Sequence, residues 1–386
     1  MRADFKAFMT AEEIELQEKA HDFAWNVLNP VVAACDREQR FPMEVFEKWK
    51  EENYHTMFLP KELGGGGRPQ IEKEIIYEEI AQADAGFVAT AAGAEFGIEA
   101  ILLAGTEEQK KHYAQFAVER GQIGAFCLTE TEAGCDAGAT QCSYKKVGDE
   151  YIINGHKDYI TGASIAGVYT VFATGDPSLG TKGISCFIIE RDREGVSIGK
   201  VYDKLGMRLS DVAQVNFDNV RIPAKNLVGA EGKGFSIAMR CLDVSRGNNS
   251  YGALAISQRA LDECVKYANS RVTFGKPIIK HQSIQNIIAD MEIRICAGRA
   301  MLWQCARLVD AGACSSAFSA STKTFISDSA MQITTDAIQV FGGYGYCRDY
   351  PVEKLMRDAK IWQIFEGTNQ IQRMVIANTL SRAYKG

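Results

Sequence analysis

The hydrophobic pattern of this chain changes twice, and that change constrains the fold more than any other feature. Up to about residue 120, apolar side chains recur with helical spacing. From about Gly124 to Gly232 the chain contains short β-branched and aromatic runs separated by turn residues, and helical spacing then returns. We therefore predict an α+β protein with a helical region, a compact β-domain and a second helical region. The predicted domain boundaries are 1–123, 124–233 and 234–386.

Local signals support both helical regions. Thr10 followed by Glu13, and Thr106 followed by Gln109, have the spacing of a capping box, in which two side chains satisfy the free amides of a helix start. In the C-terminal region four apolar residues recur every fourth position: Ile256, Ala260, Cys264 and Ala268. These segments are predicted to be amphipathic helices.

Size and charge limit the kinds of partner. At 386 residues the chain is longer than one hydrophobic core usually supports, so two or three packed units are expected. Its net charge is -6, with both signs interspersed and no basic stripe of the kind that binds nucleic acid. The apolar stretches at 168–173 and 184–189 are too short to span a bilayer as helices. We predict neither nucleic-acid binding nor membrane insertion.

Cysteine and histidine usage argues against disulfides and structural zinc. The 11 cysteines include no C-x-x-C pair, and the five histidines are not spaced as a metal cluster. The segment from Met1 to Lys6 has neither a secretory apolar core nor an arginine-rich presequence. We expect a reducing compartment, no metal and a cytoplasmic location.

Two glycine-rich segments, at 63–67 and 342–345, could suggest a nucleotide site. Neither lies in the strand, G-x-G-x-x-G turn and helix of a Rossmann unit, and the chain has no G-x-x-x-x-G-K-[ST] sequence. Rossmann-type NAD binding and a P-loop therefore lose support.

Three separated segments together resemble one family. FCLTETEAGCD at 126–136 resembles the flavin-binding signature of the acyl-CoA dehydrogenases. QVFGGYG at 339–345, followed by RDAK at 357–360, resembles their second signature, and IFEGTNQIQ at 364–372 resembles their catalytic segment. The similarity covers essentially the whole chain in the family's order, and it is strongest to the short- and medium-chain members.

The resemblance implies a helical N-terminal domain, a β-barrel-like middle domain and a C-terminal four-helix bundle, assembled as a homotetramer with FAD at subunit boundaries. It implies that Glu366 removes the α-proton of an acyl-CoA thioester while FAD N5 accepts the β-hydrogen as hydride, giving a 2-enoyl-CoA. The thioester carbonyl is expected to be held by the amide of Glu366 and a ribityl hydroxyl, because enolate character needs donors aimed at that oxygen.

Cofactor residues carry over from the same resemblance. On the β-domain side the expected FAD contacts are Phe126, Leu128, Thr129, Cys135, Tyr159, Ile160 and Thr161. A neighbouring subunit is expected to supply Arg271, Gln282, Gln339 and Gly343, and Thr368 and Gln370 are expected just beyond the base. A single subunit then has an incomplete site.

The substrate contacts implied by the family are Cys135, Asp243, Arg246 and Gly367. Some relatives place the base immediately before the Arg246 position, on a helix expected here to begin near Asp243. This chain has Ser245 at that position, which is a poor candidate for the base. Of the two positions at which the family places its base, only that of Glu366 has a carboxylate here.

Several positions depart from the family pattern. Cys135 replaces a common serine, and Tyr159 replaces tryptophan or phenylalanine. Polar residues also occur near the expected acyl end of the pocket, at Glu95 and at Asn248 and Asn249. Because buried polar groups need partners, they could bind a short, functionalised or ring-bearing acyl chain, or they could bond to the protein itself.

Other functions stay open at this point. The main expectation is a dehydrogenase that passes electrons to an electron-transferring flavoprotein. The same groups could work in reverse as an enoyl-CoA reductase, while a catalytically silent flavoprotein scaffold would be expected to lose Glu366, Arg271, Gln339 and Thr368. An acyl-CoA oxidase is disfavoured, since those relatives are generally longer.

Overall fold

The computed structural model describes residues 3–384; Met1 and Arg2, which entered the prediction of location, lie outside that range. The N-terminal region is helical: α1 (Ala3–Lys6), α2 (Ala11–Phe23), α3 (Asn29–Glu38), α4 (Met43–Glu51), α5 (Gln70–Ala81), α6 (Ala85–Ala104) and α7 (Glu107–Arg120). Both predicted capping boxes are confirmed. Thr10 Oγ1 accepts from the Glu13 amide at 3.1 Å, and Thr106 Oγ1 accepts from the Gln109 amide at 3.2 Å.

The middle region is a β-domain. Its strands are β1 (Gly124–Cys127), β2 (Ser143–Val147), β3 (Glu150–Thr161), β4 (Val168–Thr174), β5 (Ile184–Glu190), β6 (Val196–Val201), β7 (Val212–Pro223) and β8 (Leu227–Val228). The sheet order is β6-β7-β3-β2-β4-β5-β8, and β1 pairs with β4 in parallel. Strands β4 and β5 are buried along nearly their whole length, as their continuous apolar sequences require.

The C-terminal region is again helical. It contains α8 (Gly234–Asn248), α9 (Tyr251–Ser270), a short hairpin of β9 (Val272–Thr273) and β10 (Lys276–Pro277), α10 (Gln282–Asp310), α11 (Ser316–Phe341), α12 (Val352–Ala359) and α13 (Asn369–Ala383). Helix α11 packs against α8, α9, α10 and α13. The predicted start of α8 near Asp243 is wrong, because the helix already begins at Gly234.

Helix α6 joins the N-terminal region to the sheet. At Gly97 its backbone lies so close to β1 that an added Cβ would stand 2.1 Å from the carbonyl carbon of Gly124. The Thr170 hydroxyl of β4 donates to the Gly97 carbonyl at 2.7 Å. Only glycine permits this approach, which fixes α6, with Glu95 and Glu99, against the β-domain.

The same helix corrects one sequence expectation. By length and composition, Ala85–Ala104 could cross a membrane, whereas the prediction considered only shorter apolar stretches. In this fold α6 packs on β1, α5, α8 and α9. Ile98, Ala100 and Ile101 are buried in the hydrophobic core, so α6 has the packing of a core helix.

Candidate active site

Glu366 lies on a short loop before α13, and its backbone conformation is unusual. Glu366 has φ 56° and Gly367 has φ 83°, both in the left-handed region. Gln372 Nε2 donates to the Glu366 carbonyl at 2.9 Å, and Lys323 Nζ donates to the Gly367 carbonyl at 2.8 Å. Thr368 then caps α13, accepting from the Ile371 amide at 3.3 Å. These bonds fix the strained loop, and with it the direction of the Glu366 side chain.

Two side chains from the end of α8 hold the Glu366 carboxylate. Ser245 Oγ donates to Oε2 at 3.1 Å, and Asn249 Nδ2 donates to Oε1 at 2.9 Å. Burial raises the pKa of Glu366 above the usual range. The two hydrogen bonds and the charges of Arg246 and Lys323 oppose part of that rise. The result is a carboxylate that is both oriented and more basic than an exposed glutamate.

Glu366 lines a cavity of about 360 Å³, which we call the Glu366 cavity. Most of the residues predicted from sequence for one subunit's share of the site line it as well: Phe126, Leu128, Thr129, Cys135, Tyr159, Ile160, Thr161, Glu95, Arg246 and Gly367. The structure therefore brings together residues that are far apart in the sequence, such as Glu95 and Gly367, which are separated by 272 positions.

One wall of the Glu366 cavity is shaped by an irregularity in β3. The pairing of β3 with β7 shifts register between Lys157 and Ile160, and Tyr159 there has φ 57°. Tyr159 is 59% exposed, and its ring stacks on that of Tyr202 with centroids 4.5 Å apart. The bulge thus presents an aromatic ring at the open edge of the cavity.

This wall fits a flavin ring. Apolar side chains of β1 and β3 stand beside the hydroxyl-bearing Thr129 and Thr161, so a flat heteroaromatic group finds an apolar face with polar groups at its edge. Thr368 lies next to the same region, with its Oγ1 3.8 Å from Cys135 Sγ. Cys135 itself is exposed.

The residues expected from a neighbouring subunit lie elsewhere. Arg271 and Gly343 line a second cavity of about 640 Å³, the Arg271 cavity, where the Arg271 guanidinium lies 5.6 Å from the centroid of the Tyr344 ring. Gln282 and Gln339 are exposed on α10 and α11, and Gln370 is exposed on α13. Within one chain these residues do not line the Glu366 cavity.

Asp243 and Arg246 form a pair at one turn's spacing on α8. Arg246 Nη2 lies 3.3 Å from Asp243 Oδ1, and Arg246 Nε donates to the Leu242 carbonyl at 2.9 Å. Arg246 is buried and lines the Glu366 cavity, whereas Asp243 is half-buried. The structure therefore places Arg246 at the site and Asp243 as its ion-pair partner.

The polar residues at the acyl end mostly find partners in the protein. Glu95 accepts from the Lys73 ammonium in a short ion pair, Asn248 Nδ2 donates to the Val244 carbonyl, and Asn249 binds Glu366. Of the two explanations left open by the sequence, bonding to the protein therefore applies to these atoms. The proposed contact of Glu95 with substrate stays a prediction.

Sequence reasoning named Asn249 as a polar residue near the acyl end but missed its contact with Glu366, and it missed Lys323, Glu74, Tyr77 and Glu99 altogether. Asn249 and Lys323 hold Glu366 and its loop, and Glu74, Tyr77 and Glu99 line the cavity. One signal for Asn249 was present: Ser245 and Asn249 are four residues apart, so they share a helix face. Lys323 gave no such signal, because a sequence does not reveal contacts across 44 residues.

Comparison with known proteins agrees with this geometry. The chain matches the acyl-CoA dehydrogenase N-terminal domain over residues 10–119, the middle domain over 125–220 and the C-terminal domain over 232–381. It is 41% identical to an acryloyl-CoA reductase (NADH) of Anaerotignum propionicum, over 99% of this chain and 97% of that one. It is 40% identical to a short-chain specific acyl-CoA dehydrogenase of Clostridium acetobutylicum, over 97% and 99%.

A solved structure is similar along the whole fold. Butyryl-CoA dehydrogenase from Megasphaera elsdenii superposes with a TM-score of 0.93 at 38% identity, covering 96% of this chain and 98% of that one. Its architecture has the same order of helical, β and helical regions that the sequence pattern predicted here.

Proposed function

The chain belongs to the acyl-CoA dehydrogenase family and is an FAD-dependent oxidoreductase, and from this premise we propose that Glu366 removes the α-proton of a short-chain acyl-CoA thioester. The observation that carries the proposal is the position of the Glu366 carboxylate. It lines the cavity that the flavin-type wall also lines, and Ser245 and Asn249 hold it in one orientation. The short acyl chain follows from the butyryl-CoA and short-chain relatives.

The residues around Glu366 have separable tasks. A raised pKa makes the carboxylate a better acceptor for a weakly acidic α-proton. The backbone amide of Glu366, fixed by the bonds of Gln372 and Lys323 to the loop, donates to the thioester oxygen as negative charge develops there. Phe365, Trp362 and Phe126 line the cavity and keep water from the reacting carbons.

Thr129, Tyr159 and Thr161 would hold FAD, which when bound would supply the acceptor for the hydrogen that leaves the β-carbon as hydride. Loss of a proton from the α-carbon and of a hydride from the β-carbon leaves one C=C bond in the acyl chain. We propose that a neighbouring subunit of a homotetramer completes the dinucleotide site with Arg271, Gln282, Gln339 and Gly343. Their exposure, and their separation from the Glu366 cavity within one chain, support this.

The physiological direction has two candidates. Dehydrogenation with an electron-transferring flavoprotein as electron acceptor is the family's general reaction, and we propose it first. The 41% identity to an acryloyl-CoA reductase favours enoyl-CoA reduction as the second candidate, in which protonated Glu366 returns a proton to the α-carbon.

Anaerobic mixing with a series of acyl-CoA thioesters tests the function by the loss of oxidised-flavin absorbance. We expect butanoyl-CoA to bleach the flavin and Glu366→Gln to slow bleaching by roughly 10²–10⁴-fold, since that is the usual contribution of a positioned base. Glu108→Gln, which changes an exposed carboxylate of α7, is the matched control.

Two other results would contradict a dehydrogenase. Reoxidation of the reduced flavin by an enoyl-CoA, faster than bleaching by its saturated partner, would favour the reductase. If neither reaction changes the bound flavin, the protein is a catalytically silent scaffold and the proposed function is wrong.

A further inference from the structure

The inner end of the Glu366 cavity carries an excess of carboxyl groups. Helices α5 and α6 contribute Glu74, Glu95 and Glu99 to its lining. Lys73, on α5, is bonded to Glu95, and it is the cation that acts on both Glu74 and Glu99. Three carboxyl groups therefore share one ammonium group.

Five buried polar atoms of residues in the cavity lining have no hydrogen-bond partner within the described residues: Glu74 Oε2, Asn248 Oδ1, Gln372 Oε1, the Tyr77 hydroxyl and Trp362 Nε1. Glu74 is fully buried; its Oε1 accepts from Gln70 Nε2 at 2.5 Å, but its Oε2 has no hydrogen bond. Asn248 is 3% exposed, and its Oδ1 has none either. Buried acceptors without donors are costly and uncommon in native proteins. A purely aliphatic acyl chain would leave Glu74 Oε2 and Asn248 Oδ1 in this state.

The pKa shifts of the carboxyl groups agree with the missing hydrogen bonds. Burial, and then the charge of Glu95, raise the pKa of Glu99 to about 7. Burial also raises the pKa of Glu74 well above its usual range. Glu99 is therefore partly protonated near pH 7, and an entering positive charge would favour the ionised forms of both groups.

We propose that the inner end of the Glu366 cavity recognises acyl thioesters whose acyl chain carries an ammonium group, with Glu74 and Glu99 as the specificity-determining residues. The inference rests on the proposed function, because it names the substrate class of the same site. An ammonium group has three donors and a charge, so it can satisfy Glu74 Oε2 and balance the carboxylates together. A hydroxyl offers one donor and leaves the charge excess unchanged.

The test uses the flavin-loaded enzyme and isosteric thioesters. At one length the probes are hexanoyl-, 5-hydroxypentanoyl- and 5-aminopentanoyl-CoA, and at a shorter length butanoyl-, 3-hydroxypropanoyl- and 3-aminopropanoyl-CoA. We measure Kd by calorimetry and kcat/KM by anaerobic bleaching. At one or other of the two lengths, the ammonium thioester should bind at least about tenfold more tightly than the methyl and hydroxyl thioesters. Close charge pairs in buried sites contribute at least this much.

Two variants and one control assign the effect to the carboxylates. Glu74→Gln and Glu99→Gln keep the side-chain shape, and each should lower the preference for ammonium over methyl at least about threefold. Glu72→Gln lies on the same helix but changes a residue paired with Arg68 outside the cavity, so the preference should stay the same. Flavin content and circular dichroism identify any variant that fails to fold, and the other variant then decides.

The inference is overturned if the methyl or hydroxyl thioester binds as tightly as the ammonium one at both lengths. It is also overturned if neither folded Gln variant changes the ratio. If alkyl thioesters bleach the flavin through Glu366 without any ammonium preference, the inference fails and the proposed function stands. If nothing bleaches, the proposed function fails, and the calorimetric ratios still decide the inference.

Discussion

Two buried charge clusters in this protein are built from the same residue types but are completed differently. In the β-domain, Lys157 donates to the Leu128 carbonyl at 2.9 Å, to Glu130 at 2.7 Å and to the Thr140 hydroxyl at 2.8 Å. All three donors of its ammonium group are therefore used. At the inner end of the Glu366 cavity, Lys73 is paired with Glu95, while one oxygen of Glu74 has no hydrogen-bond donor among residues 3–384.

The carboxylates differ in the same way. Glu130 also accepts from the amides of Gln141 at 2.6 Å and Cys142 at 3.0 Å. Burial alone would raise its pKa, but Lys157 and these donors hold the pKa below its usual range. In the cavity, burial and like charge raise the pKa of Glu99 instead. A saturated cluster stabilises the fold, whereas an incomplete cluster in a cavity can be completed by a ligand.

The largest effect is expected from breaking the saturated cluster. Lys157→Met leaves Glu130 buried without its counter-charge, so we expect the free energy of unfolding to fall by about 3–5 kcal/mol, measured by urea unfolding. Lys146→Met, which removes a cation from an exposed pair with Glu231, should cost about 1 kcal/mol or less. If both variants lost the same free energy of unfolding, the complete set of partners around Lys157 would contribute no more stability than an exposed ion pair.

The pH dependence should confirm the origin of that loss. Because the pKa of Glu130 is lowered in the folded state, its contribution is present above the pKa of the unfolded chain and is lost as pH falls through the folded-state pKa. The difference in stability between Lys157→Met and the unchanged protein should therefore shrink below about pH 4, near the ordinary carboxyl range. A difference that stays constant down to pH 2 would assign the loss to packing.

A smaller effect is expected at Glu366, the cavity carboxylate that does have two donors. Asn249→Ala removes one donor that favours the charged form, so the pKa of Glu366 should rise further. The acidic limb of the bleaching rate should move to higher pH by about 0.5–1 unit, since the bond from Asn249 favours the charged carboxylate over the neutral acid by about 1 kcal/mol. Ser245→Ala should move it in the same direction. A lower rate with an unshifted limb would show that Asn249 only supports packing.

How much of the fold and the site could be predicted from the sequence depends on how far apart in the chain the interacting residues lie. The α, β, α order and both capping boxes are written in local patterns, and the structure confirms them. The role of Glu366 came from a motif and not from its chemistry, because an isolated glutamate has no local signature. Family membership and FAD dependence were likewise predicted from motifs and are confirmed.

Long-range partners were out of reach of local patterns. Lys73 and Glu95 are 22 residues apart on different helices, and Asn249 reaches Glu366 across 117 residues. The sequence indicated that Glu95 and the two asparagines needed partners but not which atoms would provide them. The excess of carboxyl groups became visible only when α5 and α6 were seen to line the same cavity.

Binding of an ammonium thioester should release protons if the cavity cluster is completed by charge. Since the pKa of Glu99 is about 7, about half of the Glu99 side chains are protonated at pH 7, and a bound cation should ionise them. Calorimetry in buffers of different ionisation enthalpy should therefore detect the release of about 0.5 proton from Glu99, in addition to any from Glu74, for the ammonium probe and close to none for the alkyl probe. Equal proton release for both probes would contradict a charge-based completion.

The smallest effect should come from removing the unpaired carboxyl group of the incomplete cluster. Replacing a buried ionisable group by an apolar side chain of similar size is often neutral or stabilising, because the folded protein no longer bears the cost of its desolvation. We therefore expect Glu74→Met to change the free energy of unfolding by less than about 1 kcal/mol. The loss of the hydrogen bond from Gln70 opposes any gain.

Glu130→Met in the β-domain is the matched control, and it should be destabilising by about 3–5 kcal/mol because Lys157 then lacks its counter-charge. If Glu74→Met were as damaging as Glu130→Met, Glu74 would be a structural residue and the two clusters would be alike. A near-zero change, together with weaker binding of ammonium thioesters, would show that the carboxyl group is kept for ligand recognition at no benefit to stability.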